Sequence, residues 1–142
     1  MIFVLYYSEK MIGPALLAAI SHCHPDLPPE QLRLRAAGWL QRELAGKKPS
    51  ALLVPFAVSP GGETVCLATG AVPPPLLRRT LGDLSRLLGK GPGKPVLLTA
   101  GPLPPAPARL WKAPCRETSA FWKELEALVE QTRLQAELLG EQ

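Results

Sequence analysis

The opening of this chain constrains its fold more than any other stretch. Ile2-Phe3-Val4-Leu5-Tyr6-Tyr7 is followed by polar Ser8-Glu9-Lys10, then by Gly13-Pro14, then by Ala15-Leu16-Leu17-Ala18-Ala19-Ile20. The first run is β-branched and aromatic, is too short for a helix, and does not alternate. Continuous apolar strands of this kind belong to sheets covered on both faces. Pro14 suits the first turn of a helix, where its missing N–H has no intrahelical partner to lose. The second run is apolar on all sides and predicts a buried helix. A buried strand, a short loop and a buried helix form the usual seed of an α/β sheet.

The remaining elements follow in order. Residues 29–45 carry Leu32, Ala36, Trp39/Leu40 and Leu44 at spacings of three to four, which predicts a helix with one apolar face. Gly38 within it costs about 1 kcal/mol relative to Ala and implies a close neighbour. Residues 51–58 and 63–69 read as two strands joined by a turn at Ser59-Pro60-Gly61-Gly62. Pro55 cannot donate a ladder hydrogen bond and pushes its strand to an edge. A leucine stripe predicts a helix over 74–88, residues 95–100 a fourth strand, and residues 118–139 a last helix. The last helix has Phe121, Leu125, Leu128/Val129, Thr132, Ala136 and Leu139 on its apolar face. Residues 101–114 are proline-rich and aperiodic, an extended surface connection.

Counting crossings gives the strand senses. Two helices separate the first two strands, so the second runs antiparallel to the first. The hairpin returns the third strand parallel to the first, and one further helix makes the fourth parallel too. The expected fold is a three-layer α/β domain spanning 1–142. Its four-stranded mixed sheet has three parallel strands and one antiparallel edge strand, with helices on both faces and right-handed crossovers.

Composition narrows the function classes. Of 142 residues 46% are hydrophobic and 20% charged, a globular balance that suits one core. The net charge of +4 is scattered, with no Lys/Arg-rich run and no basic-aromatic interleaving, so nucleic acid is not an expected partner. No apolar run reaches the ~20 residues that span a bilayer, and no basic region precedes the first run as a signal peptide requires. Three widely spaced cysteines, Cys23, Cys66 and Cys115, imply reduced thiols and a cytoplasmic setting. Abundant proline (17 residues) and the absence of asparagine fit a heat-adapted source or a GC-rich genome.

In open α/β sheets ligands sit beyond the carboxyl ends of the parallel strands. That rule nominates Ser8, Glu9, Lys10 and Gly13 in the first strand–helix loop, with Gly70 and Gly101 after the third and fourth strands. The free N–H groups of the first helix, assisted by Ser8 and Lys10, would suit an anion. The loop is neither a Walker sequence nor a dinucleotide fingerprint, and no cofactor is expected. His22-Cys23-His24 does not have zinc spacing and no metal site is expected; the plainer reading is a helix-terminal histidine favoured by the dipole, a buried cysteine and a turn histidine. Cys115, beside Arg116 and ahead of the last helix, is the best candidate for an activated thiol, against an ordinary structural cysteine.

The opening strand, the Ala-Leu-Leu-Ala-Ala-Ile helix with its Leu27-Pro28 exit, the Gly61-Gly62-Glu63-Thr64-Val65 hairpin and the helix after Gly70 resemble a small α/β family of unknown function. That family is found mainly in spore-forming bacteria, and the similarity spans about residues 2–129. It implies a cytoplasmic bacterial protein with a sporulation association, and supplies no reaction. A His-Ser pair follows the first strand in that family; here the loop reads Lys10-Met11-Ile12-Gly13. The expected function is therefore a non-catalytic binding or protein-interaction module, its site at the carboxyl edge and its partner a protein or a small anionic ligand. The alternative is a small enzyme acting on an anionic or phosphorylated substrate through the first loop.

Overall fold

The structure, a computed structural model, describes residues 2–8, 11–44, 52–70, 79, 96–100, 103 and 120–140. Within them the chain forms β1 (Ile2–Ser8), α1 (Ile12–Cys23), α2 (Pro29–Trp39), a π-helical turn (Leu40–Leu44), β2 (Leu52–Val58), β3 (Thr64–Thr69), β4 (Val96–Ala100) and α3 (Ala120–Gly140). The four strands make one mixed sheet in the order β2-β3-β1-β4. β1 is central and pairs in parallel with β3 (Phe3 with Thr64 through Ser8 with Thr69) and with β4 (Ile2 with Val96 through Tyr6 with Ala100). β2 lies at the edge, antiparallel to β3. This is the expected α/β sheet.

Pro55 explains why β2 is an edge strand. Its ring nitrogen carries no proton for a neighbour to accept. Pro55 pairs with Cys66 and Ala57 with Val65, so Phe56 is an extra residue bulged out of the ladder.

Alternation along β1 divides the sheet's two faces. Val4 and Tyr6, with Val65 and Leu67 of β3, pack against α1, α2 and α3 in one core. α1 contributes Ala15, Leu16, Leu17, Ala18, Ala19 and Ile20, and α3 contributes Phe121, Trp122, Leu125 and Val129. Burying a leucine such as Leu16 contributes about 1.5–3 kcal/mol. Phe3, Leu5, Cys66 and Ala68 point the other way and are also buried, so both faces of the central strands are shielded from water. The helix expected over 74–88 falls outside the described residues except for Arg79, which is helical.

One local expectation holds and one needs correction. α1 begins at Ile12, so Pro14 is its third residue, still within the first turn where N–H groups lack intrahelical partners. The helix expected over 29–45 is α-helical only to Trp39 and then widens into the π-helical turn. No described helix is long and apolar enough to cross a membrane.

Candidate functional site

The sheet's amino edge gathers the groups with chemical potential. β1 starts there, α1 ends there, and the β2–β3 hairpin turns there. That turn is a three-residue loop, Pro60-Gly61-Gly62. Gly62 N–H donates to Ser59 O at 2.9 Å and Ser59 N–H to Glu63 O at 2.8 Å. Gly62 takes φ +91°, the backbone region a glycine tolerates, which lets a right-twisted hairpin close over three residues.

The turn presents Glu63 inward. Its carboxylate accepts a hydrogen bond from Ser59 Oγ at 2.6 Å, and its N–H donates back to Ser59 Oγ at 3.2 Å. Gly61 matters for a different reason: a Cβ there would overlap the Glu63 carboxylate and force it to shift. The carboxylate's other oxygen lies 3.4 Å from His22 Nε2. On the far side of the imidazole, Nδ1 is 2.7 Å from Tyr6 Oη. A single polar chain thus runs Tyr6–His22–Glu63–Ser59, linking β1, α1 and the hairpin.

Electrostatics fix its protonation. Burial lowers the His22 pKa below the ordinary histidine range and Arg133 pushes the same way; the Glu63 charge and hydrogen bond oppose them and lose. Burial alone would raise the Glu63 pKa, but the hydrogen bonds from Ser59 and the backbone, with His22, outweigh it and hold the acid ionised. Burial drives the Tyr6 phenol well above its usual value. A carboxylate only accepts, so His22 carries its proton on Nε2 and accepts from Tyr6 at Nδ1. His22 is therefore a neutral buried imidazole, not the dipole-favoured cation expected at a helix C-terminus.

The His22, Glu63 and Ser59 members of the polar chain line one wall of a cleft of about 650 Å³. Arg133 and Glu137 of α3 stand on another wall. Arg133 donates to Ser21 O through Nη2 and to Glu130 through Nη1 at 3.3 Å, while its buried Nε has no acceptor among the described residues. Among the described lining residues two carboxylates, Glu63 and Glu137, face one guanidinium, Arg133.

The nominated carboxyl-edge residues are placed differently. Ser8 is buried and its hydroxyl donates to Met11 O. Gly13 is buried in the first turn of α1. Gly70 takes φ +105° and its carbonyl accepts from Tyr7 Oη at 2.5 Å. Glu9, Lys10 and Gly101 lie outside the described residues, as do Cys115 and most of the proline-rich stretch. Cys23 and Cys66 are free and buried, and burial pushes each thiol up to about 11. His24 is exposed, with Nε2 at 3.4 Å from Arg35 Nη1, so the two histidines turn to different partners.

Sequence reasoning passed over Tyr6, Ser59, Glu63 and Arg133. One signal was available: a carboxylate opening a strand that is otherwise buried, immediately after a Gly-Gly turn. No family model, curated protein or solved structure matches the chain.

Proposed function

We propose that this domain is a non-catalytic binding module that takes a small ligand carrying an amino group in the amino-edge cleft. The observation that carries this reading is the Glu63 carboxylate, ionised and fixed on the cleft wall by Ser59 and His22. A charge held in place before binding loses little freedom when an ammonium docks on it. Glu137 adds attraction, and Arg133 suits a ligand that also bears a carboxylate. The potential nucleophiles at and beside this cleft are committed inward. The Tyr6 and Ser59 hydroxyls lie in the polar chain, the His22 side chain is 1% exposed, and the Cys23 and Cys66 thiols stay protonated at neutral pH. Those two free thiols and the resemblance noted above support a bacterial cytoplasmic setting.

Titration calorimetry of the intact protein with amino acids, simple amines and polyamines tests the proposal. Binding by wild type that is lost in Glu63→Gln, with the fold retained, is the expected result. No heat from any of these ligands overturns it.

A second reading keeps the anionic or phosphorylated substrate at the first strand–helix loop. One observation favours it. Thr69 Oγ1, in register with Ser8, is buried without a partner among the described residues, and none of them gives α1 a side-chain cap at Met11. Phosphate binding lost in Thr69→Val would support that reading; phosphate that leaves the melting temperature unmoved counts against it.

A further inference from the structure

A second cleft, of about 470 Å³, lies on the opposite side of α1's C-terminal half, between α2, the π-helical turn and the edge strand β2. Its charge is of the opposite sign to that of the amino-edge cleft. Arg35, Arg42 and His24 line it together with Trp39 and Phe56, and no acidic side chain is among its described lining residues. Among the described residues Arg33 pairs with Glu30 and Arg133 with Glu130. Arg35 and Arg42 have no carboxylate partner among the described residues.

Two departures from regular structure supply these side chains. Phe56 is the bulged residue of β2, and bulges re-aim a side chain out of the ladder's alternation. Arg42 lies in the π-helical turn, a feature frequent at functional sites. The Arg42 guanidinium folds back over Gly38, where a Cβ would sit 3.4 Å from Nη1. That is ordinary contact with the end of a flexible side chain, so no described neighbour at Gly38 requires a glycine.

We propose that this cleft binds a small molecule in which a planar ring carries an anionic group, the ring lying against Trp39 and Phe56 and the anion on Arg35 and Arg42. A guanidinium fork matches carboxylate or phosphate oxygens, and the volume suits one such molecule. Nucleotides and aromatic carboxylates share this chemistry. The inference is independent of the amino-edge proposal, because neither Glu63 nor Arg133 lines this cleft.

Titration of the full chain with adenosine 5′-monophosphate, guanosine 5′-monophosphate and indole-3-carboxylate, against adenosine and inorganic phosphate, tests it and separates the two sources. At least one ring-plus-anion probe should bind more tightly than either fragment. Arg35→Ala and Arg42→Ala, both at exposed positions, should each weaken it about tenfold, the weight of a charge-assisted hydrogen bond. Phe56→Leu should weaken it while Glu63→Gln leaves it unchanged. Fragments binding as well as the joined molecule, binding indifferent to both arginines, or binding of oligonucleotides or acidic peptides without the small probes would each overturn the assignment.

Discussion

His22 Nδ1 stands 2.7 Å from Tyr6 Oη, joining the last turn of α1 to the middle of the central strand. The two rings meet edge to face, with centroids 5.8 Å apart and planes at 65°. Both side chains are buried, so their polar atoms have each other in place of water. Glu63, which can only accept, sets the tautomer with the proton on Nε2, and the Tyr6 hydroxyl satisfies Nδ1 as its donor. The core contact thereby holds the imidazole that orients a charge on the cleft wall.

Tyr6→Phe removes the hydroxyl and leaves His22 Nδ1 as a buried acceptor without a donor. The expected cost is about 1–3 kcal/mol, the penalty for one orphaned buried polar group. Urea unfolding measures it. A change under about 0.5 kcal/mol, the ordinary range of surface substitutions, would mean that the contact does not organise the chain.

The two turn glycines should respond differently to alanine. Gly62 has open space around it, so Gly62→Ala meets only backbone strain at positive φ, about 1–2 kcal/mol. Gly61→Ala drives the Glu63 carboxylate from Ser59 and His22, so it should abolish amine binding in the amino-edge cleft as well as lower stability. Thermal melts and calorimetry on the pair separate the effects. Equal ligand affinity in the two variants would show that Gly61 is not reserving space for Glu63.

Most of the sheet was legible in the sequence because its signals are local. An unalternating apolar run marks β1, Pro55 marks the edge, and crossing counts set the senses. The amino-edge chain was not legible, because Tyr6, His22, Ser59 and Glu63 are brought together only by tertiary packing. Each alone reads as strand, helix end, turn or strand start. The strand-end rule pointed to the opposite edge, where the Ser8 hydroxyl and the Gly70 carbonyl are used within the fold. The π-helical turn was also out of reach, since Leu40 and Leu44 keep a helical spacing whichever way the backbone closes.

Cys23 and Cys66 should react slowly. Burial raises each thiol to about 11, so near neutral pH very little thiolate exists, and neither sulfur is open to reagent. Mass spectrometry after brief iodoacetamide treatment should find both unmodified in the native protein and both labelled in urea. Rapid native labelling of Cys23, which adjoins His22, would mean that the end of α1 opens readily.

Acid should destabilise the fold in two stages. His22 has a folded pKa below its unfolded value of about 6.5, so the unfolded chain takes up the proton first. Its contribution is complete above that pH and is lost as pH falls through and below it. Glu63 is also depressed, so its contribution is present above about pH 4.5 and is lost as pH falls through its folded value. Each group adds a slope of at most about 1.4 kcal/mol per pH unit, with stability falling toward acid in both windows. The groups facing His22 are Glu63, which favours its proton, and Arg133, which opposes it. Urea midpoints between pH 8 and pH 3 measure both stages. His22→Gln should flatten the upper window and leave the lower one, while Glu63→Gln should remove the lower one. An upper slope that survives in His22→Gln would place the first protonation on another group.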